Sequence, residues 1–188
     1  MILMALLEKQ VEKTMHSGRW RHTQGVVGAS RELARRFGAD EEKAALAALL
    51  HDIAKSQGKE ALYQQLKDTP YEGYLLESPP IWHAPAGALM ARDQFGITDQ
   101  EILDAIQYHT TGRPGMGLVE AIVFLADYME PGRTQPGVEQ IRQLATTNLE
   151  GAIAGALRAT VSYLESQTAK VHPDTLAALD YYEGLAGK

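Results

Sequence analysis

The chain has 188 residues and no cysteine, which excludes disulfides, cysteine-ligated zinc sites and cysteine nucleophiles. With 18 Lys and Arg against 24 Asp and Glu, the formal net charge is −6, so broad binding to DNA or RNA polymers is not expected. Hydrophobic residues make up 45% of the chain, an ordinary balance for one globular domain spanning 1–188. The sequence has neither the ~20 uncharged apolar residues of a membrane span nor a signal peptide, which predicts a cytoplasmic protein without membrane contact.

Helical spacing of apolar residues dominates the sequence, and no segment alternates convincingly at period two. Glycine or proline supplies a stop signal after several of these segments. The first predicted helix contains Leu3, Leu7 and Val11 and ends near Ser17. Seven more are predicted at 22–37, 41–55, 59–67, 83–95, 98–109, 120–129 and 138–145. An amphipathic stripe over 153–164 predicts another helix, and a last one is predicted after Pro173. We therefore predict a single all-α domain, a helical bundle with short connections.

Two aspartates occupy positions where a charge is unfavourable. Asp52 follows the apolar run 44–50, and Asp127 follows the apolar run 121–126. A buried carboxylate is destabilising unless it is paired, hydrogen-bonded or bound to a metal. Each of these carboxylates is therefore predicted to have a partner: an opposite charge, a hydrogen-bond donor or a metal ion.

Four histidines project from the core-facing stripes of four different predicted helices: His22, His51, His83 and His109. One such histidine alone is best explained as a hydrogen-bonded core residue. Four of them together with two buried aspartates favour a metal, since one ion can satisfy many of these groups at once. His16 and His172 are predicted to lie at a helix end and on a loop, outside the ligand set.

The donor set is imidazole and carboxylate without sulfur, which suits Fe or Mn and tolerates Zn. Arg19 and Arg21 flank Trp20 just before the first of these histidines. A nucleotide contact is one explanation of this basic pair, but a helix-entry surface around one buried Trp is the commoner one.

The order of these residues resembles the HD superfamily of metal-dependent phosphohydrolases, in which His, His-Asp and Asp ligands come from separate helices. Further segments resemble its YqeK-type branch over almost the whole chain. They are RHTQGV at 21–26, AALLHDIAK at 47–55, IWHAPAGA at 81–88, HTTG at 109–112, ADYMEPGR at 126–133 and HPDTL at 172–176. The resemblance implies symmetrical cleavage of diadenosine tetraphosphate into two ADP, with iron as the expected metal and Mn²⁺ or another divalent metal as the alternative.

Carried over by position, the resemblance implies that the metal ligands are His22, His51, Asp52 and Asp127. His83 and His109 would complete a second metal position or bind the phosphates, so one ion and two ions both stay open. The positions expected near the substrate are Lys55, Thr110 and Arg133 at the polyphosphate and Lys170 and His172 towards the nucleoside.

The expected reaction is in-line attack on phosphorus by a metal-activated water. Asp52 would orient that water or bridge two metals, and His83 or His109 would protonate the leaving oxygen or stabilise its charge. The sequence also permits a homodimer without demanding one.

Three other functions stay open at this stage. The substrate could be another nucleotide, such as an alarmone, a deoxynucleoside monophosphate or a cyclic nucleotide, because metal ligands do not determine the substrate. The domain could also be a nucleotide sensor without turnover, or a metal-free helical scaffold.

Overall fold

The computed structural model describes residues 2–186, with side chains from residue 4, and this range contains ten α-helices and no strand. Two short 3₁₀ helices, at 72–76 and 79–81, occupy the predicted loop between the fourth and fifth helices. The α-helices are α1 (Ile2–Glu12), α2 (Ser17–Phe37), α3 (Glu41–Leu50), α4 (Lys59–Leu66), α5 (His83–Phe95), α6 (Gln100–Tyr108), α7 (Leu118–Met129), α8 (Val138–Leu144), α9 (Leu149–Ser166) and α10 (Pro173–Ala186). The all-α prediction is confirmed.

Local sequence signals account for several helix ends. The side chain of Asp40 accepts hydrogen bonds from the backbone N–H groups of Glu42 and Lys43 and so caps the start of α3. Gly38 and Gly96 follow α2 and α5 in the left-handed conformation, at φ 76° and 67°, which a residue with a Cβ adopts only with strain.

Three predicted boundaries differ from the structure by about five residues. The first helix, α1, ends at Glu12 rather than near Ser17. α2 begins at Ser17 rather than at residue 22, because the side chain of His16 accepts a hydrogen bond from the backbone N–H of Arg19 and caps the helix. α3 ends at Leu50 rather than near residue 55, and residues 51–57 form a series of turns. His51 and Asp52 are thus placed just beyond a helix end, where backbone direction changes.

The helix α7 lies at the centre of the fold. Every residue of its 119–126 segment is buried, and it packs against α2, α3, α6, α8 and α9. A helix that is apolar on all sides is stable only when neighbours cover all of it. Asp127 comes directly after this buried segment, so its carboxylate is held at the point where α2, α3 and α6 also converge.

A second, smaller apolar cluster lies beside the main core and fixes the loop before α5. Leu62 and Leu66 of α4 pack there with Trp82 and Leu89. The Trp82 indole N–H donates to the carbonyl oxygen of Glu77 at 3.1 Å. This packing determines where α5, and with it His83, begins.

Within residues 2–186, no helix combines the length and apolarity that a membrane crossing requires.

Candidate metal centre

Six ionisable residues from five parts of the chain lie together at the ends of helices. His22 comes from the first turns of α2, His51 and Asp52 follow α3, His83 begins α5, His109 follows α6, and Asp127 lies near the end of α7. His51 is fully buried, and Asp52, His83 and His109 are each at most 3% exposed. These are the six residues singled out from the sequence.

The Nε2 atoms of the histidines all face the two carboxylates. Nε2 of His22 is 3.0 Å from Oδ1 of Asp127. Oδ1 of Asp52 is 3.2 Å from Nε2 of His83 and 3.5 Å from Nε2 of His109. Nε2 of His51 is 3.5 Å from Oδ2 of Asp52 and 3.9 Å from Oδ1 of Asp127. The cluster therefore has one shared interior.

Backbone carbonyl groups hold the opposite ring nitrogen of three histidines. In each case Nδ1 contacts the carbonyl oxygen three residues earlier in the chain. The pairs are His51 with Ala48 at 2.6 Å, His83 with Pro80 at 2.8 Å and His109 with Ile106 at 2.7 Å. A carbonyl oxygen can only accept, so Nδ1 carries the proton and Nε2 of each neutral ring keeps its lone pair. This tautomer is the one required of a metal ligand.

A side chain performs the same task for His22. Oε1 of Glu130 lies 3.2 Å from Nδ1 of His22, and Oε2 accepts a hydrogen bond from the backbone N–H of Gly132 at 2.6 Å. Glu130 is buried, and a Cβ at Gly25 would lie only 2.5 Å from its Oε2. Gly25 thus leaves the room that lets the carboxylate reach His22. Carboxylate–histidine pairs of this kind orient metal-binding imidazoles.

The arrangement inside the cluster fits a bound cation. With each Nδ1 proton already donated, the Nε2 lone pairs face carboxylate oxygens, and Nε2 of His83 faces Nε2 of His109 at 3.1 Å. Nε2 of His22 and Nε2 of His51 are buried and form no hydrogen bond within residues 4–186. Acceptors that face acceptors repel unless a positive charge lies between them.

Two overlapping sets of three ligand atoms are close enough to hold an ion. His22, His51 and Asp127 form one set, and His51, Asp52 and His109 form the other, with all ligand atoms of a set within 4.8 Å of one another. Their imidazole and carboxylate donors suit a divalent transition metal. The residues present therefore fit the metal that the sequence predicted. Because Nε2 of His51 has a single lone pair, this residue can ligate an ion in only one of the two sets at a time.

The carboxylates of the cluster stay ionised. Burial opposes this, but the adjacent His51, His109 and His83 hold the pKa of Asp52 well below its usual range. Burial opposes ionisation of Asp127 too, but the adjacent His22 and His51 outweigh it and depress the pKa of this carboxyl. Burial lowers the pKa of His83 to about 4, which keeps its imidazole neutral at pH 7.

The fully buried imidazole of His51 is shifted the other way. Burial disfavours its charged form, but the carboxylates of Asp52 and Asp127 raise its pKa above the usual value. The interior of the cluster thus attracts positive charge, as the facing acceptors also indicate.

Three basic side chains surround the cluster. Arg19 forms an ion pair with Oδ2 of Asp52, and Nη2 of Arg133 lies 2.7 Å from Oδ1 of Asp127. Nζ of Lys55 lies 3.0 Å from Nε2 of His83, and burial lowers the pKa of this lysine. The hydroxyl of Thr110 is 3.1 Å from Nε2 of His109. Arg19 lies in the first turn of α2, as the helix-entry interpretation expected, and its side chain also pairs with Asp52, which the sequence did not indicate.

The last two predicted substrate residues have other partners. Nζ of Lys170 lies 2.7 Å from Oε2 of Glu77, and the ring of His172 stacks on Tyr74 with the centroids 5.6 Å apart. His172 also accepts a hydrogen bond from the backbone N–H of Asp174. Among the described residues, the polar contacts of both lie outside the cluster of six.

Sequence reasoning missed the functional position of Glu130 altogether. An acidic residue just past the last turn of α7, before Pro131, looks like an ordinary exposed helix end. One signal was available, because a negative charge is unfavourable at a helix C-terminus and so calls for a specific partner.

Comparison with known proteins agrees with this geometry. The family model described as "HD domain" matches residues 19–132, a segment that contains all six clustered residues. The chain is 42% identical over 172 residues to a Bacillus subtilis protein named "Bis(5'-nucleosyl)-tetraphosphatase, symmetrical", covering 91% of this chain and 92% of the relative. A relative of the same name from Halalkalibacterium halodurans is 44% identical, with 85% of this chain and 86% of the relative covered.

A solved structure shows the same fold. It is described as a predicted HD superfamily hydrolase involved in NAD metabolism from Clostridium acetobutylicum, and it superimposes with a TM-score of 0.91 at 30% identity over 96% of this chain and 97% of that one. The chain belongs to the HD-domain family. Within that family it groups with relatives named as symmetrical bis(5'-nucleosyl)-tetraphosphatases, which confirms the resemblance found in the sequence.

Proposed function

We propose that this chain is a metal-dependent hydrolase that cleaves dinucleoside tetraphosphates, above all diadenosine tetraphosphate, symmetrically into two nucleoside diphosphates. The observation that carries the proposal is the convergence of four imidazole Nε2 atoms on two ionised carboxylates, with three basic side chains beside them. The names of the Bacillus and Halalkalibacterium relatives support the substrate.

In this proposal, the metal is held by His22, His51, Asp52 and Asp127. When bound, a divalent metal supplies Lewis-acid chemistry, lowering the pKa of water and offsetting phosphate charge. His83 and His109 lie on the far side of Asp52, where they complete a second metal position or bind phosphate oxygens.

The chain's own residues then position the polyphosphate. Arg133 offers a planar fork for phosphate oxygens, Lys55 a compact charge, and Thr110 a hydroxyl donor. Each of them already contacts a residue of the cluster. Together they place the central bridge of the substrate next to Asp52.

The bond change is one hydrolysis. The oxygen of water bonds to a phosphorus of the central bridge, the bond from that phosphorus to the bridging oxygen breaks, and the two protons of water are shared between the products. Asp52 orients the attacking water, and His83 or His109 faces the leaving oxygen. For diadenosine tetraphosphate the products are two ADP.

The identity of the products tests the proposal directly. Incubated with diadenosine tetraphosphate and supplied with iron or manganese, the protein is expected to yield ADP as its only nucleotide product, as resolved by ion-exchange chromatography. ATP plus AMP would mean an asymmetric cut and contradict the proposed bond. An absence of turnover would contradict the substrate and favour another nucleotide or a sensor.

Replacing Glu130 by glutamine should weaken metal binding without unfolding the protein. Loss of a carboxylate that orients a metal-binding histidine typically lowers metal affinity about 10–100-fold. Since Glu130 acts through His22, excess metal should restore most of the hydrolysis. Titration of metal by calorimetry measures the shift.

Glu165→Gln is the matched control, because Glu165 is exposed on α9 and away from the cluster. It should leave metal affinity unchanged. An unchanged affinity in Glu130→Gln as well would show that the contact between Glu130 and His22 does not position the imidazole.

The remaining expectations belong to the same proposal. We propose iron as the native metal, the cytoplasm as the compartment, the whole chain 1–188 as one functional domain, and Lys170 and His172 as contacts to the nucleoside. A homodimer is compatible with the sequence, and light scattering on the purified protein would establish the oligomeric state.

A further inference from the structure

The end of α7 is held by side chains rather than by a glycine. Glu130 and Pro131 follow the last helical residue, and the chain leaves the helix in an extended conformation, with ψ of Glu130 at 156°. The last carbonyl groups of a helix have no donor within that helix and need one from elsewhere. The carbonyl oxygens of residues 127–130 each accept a hydrogen bond from a side chain further along the chain, namely Arg133, Gln135 or Arg142.

Arg142 of α8 makes most of these contacts. Its Nε donates to the carbonyl oxygen of Met129 at 2.9 Å, and its Nη2 donates to the carbonyl oxygens of Glu130 at 2.7 Å and Arg133 at 2.8 Å. Its Nη1 pairs with Glu139 on the same helix. Every nitrogen of the guanidinium thus has a partner, and most of these partners belong to the main chain at and just after the end of α7.

Two residues of this turn have side chains at the metal-binding cluster. Glu130 lies beside Nδ1 of His22, and Arg133 donates to Oδ1 of Asp127. The turn is closed by the backbone N–H of Arg133, which donates to the carbonyl oxygen of Glu130 at 2.9 Å. Because one guanidinium fixes the main chain of both residues, a shift of the turn would move both side chains at once.

We propose that Arg142 is a positioning residue of the metal site, which holds the 130–133 turn so that the carboxylate of Glu130 keeps His22 in its metal-binding orientation. Arg142 lies outside the six clustered residues and beyond the 19–132 segment that matches the HD family. This role rests on the metal assignment of the proposed function, but it does not depend on which nucleotide is cleaved.

The chemistry of the side chain explains why an arginine suits this position. A guanidinium presents its N–H donors in a rigid planar fork that serves several acceptors in one orientation, whereas the ammonium of lysine is a compact charge on a flexible stem. Arg142→Lys would therefore keep the favourable interaction of a cation with the carbonyl end of a helix. It would lose the fixed geometry of the three hydrogen bonds, so this variant separates charge from positioning.

The affinity of the full chain for Mn²⁺, measured by calorimetry, tests the proposal. Arg142→Gln should weaken Mn²⁺ binding by about 10–100-fold, the usual range for residues that orient a metal ligand. Arg142→Lys keeps the cation at the end of α7 and so protects the fold, but its affinity should stay closer to that of Arg142→Gln than to that of the unaltered protein.

Arg36→Gln is the matched control. Arg36 also pairs with a glutamate and donates to a main-chain carbonyl oxygen, that of Ala145. It lies near the opposite end of α2 from His22, about 21 Å away along the helix axis. This variant should leave Mn²⁺ affinity unchanged.

A double-mutant cycle with Glu130→Gln shows whether Arg142 acts through this carboxylate. If it does, the double variant should bind Mn²⁺ no more than about twofold more weakly than Glu130→Gln alone, because the contact that Arg142 positions is already lost. A general role of Arg142 in stability would instead multiply the two losses, since independent effects add in free energy. Circular dichroism of each variant checks that it is folded.

Unchanged Mn²⁺ affinity in Arg142→Gln would overturn the proposal, and so would full recovery in Arg142→Lys or multiplied losses in the double variant. These outcomes differ from a failure of the proposed function. An unaltered protein that binds no Mn²⁺ would overturn the metal site and this role of Arg142 together. If the protein binds Mn²⁺ in an Arg142-dependent way but cleaves no dinucleoside tetraphosphate, the proposed function fails and the positioning role stands.

Discussion

Replacing Asp52 by asparagine is expected to lower hydrolysis of diadenosine tetraphosphate by at least about a thousandfold. Asn keeps the shape of the side chain but removes the charge that His83 and His109 face and that Arg19 pairs with. A metal and its ligands contribute several kcal/mol of transition-state stabilisation, and about 1.4 kcal/mol corresponds to a factor of ten in rate. Turnover at saturating substrate is the measurement.

Asp93→Asn provides the matched comparison. Asp93 is exposed on α5 and contacts only its neighbour Arg92 among the ion pairs of the described residues. This variant should retain full activity. Circular dichroism of both variants separates lost chemistry from lost structure, and a folded Asp52→Asn protein with near-normal turnover would remove Asp52 from the mechanism.

Removing the metal is expected to abolish hydrolysis and to lower the melting temperature by about 10 °C. A ligand present at about 1,000 times its dissociation constant stabilises the folded state by about 4 kcal/mol, and a domain of this size gains about 2–4 °C for each kcal/mol. The chain should stay folded without the ion, because Arg19 and Arg133 already offset the charges of Asp52 and Asp127. Calorimetry before and after EDTA, with manganese or iron added back, measures both effects.

His51→Gln is the informative variant for this experiment. His51 belongs to both possible ligand sets, so its loss should make the melting temperature insensitive to EDTA. If the unaltered protein were equally insensitive, the cluster would be a set of core histidines without a metal, and the scaffold hypothesis would replace the enzyme.

The core of the site was predictable because its residues break the apolar pattern. Asp52, Asp127 and the four clustered histidines stand in segments where a polar side chain requires a partner, and the structure places all six together. Helix α5 was also predictable at both ends, since Gly96 provides a left-handed stop and prolines precede its start.

Other features depended on contacts between distant segments. Nothing in residues 51–55 is a helix breaker, so the end of α3 at Leu50 follows from tertiary packing rather than from local sequence. Arg19 and Glu130 are polar residues at helix ends, where solvent exposure is the usual outcome. Their roles depend on partners 33 and 108 positions away in the chain, which a local pattern does not reveal.

The way in which the histidines are oriented has a consequence for how the site can change in evolution. Three imidazoles are held by main-chain carbonyl groups, which every amino acid at positions 48, 80 and 106 provides. The orientation of these rings is therefore robust to point mutation at their acceptors. His22 alone depends on a side chain, that of Glu130, and on the absence of one at Gly25. Substitution of Glu130 or Gly25 is therefore the simplest route by which a descendant of this protein could change its metal affinity while keeping every metal ligand.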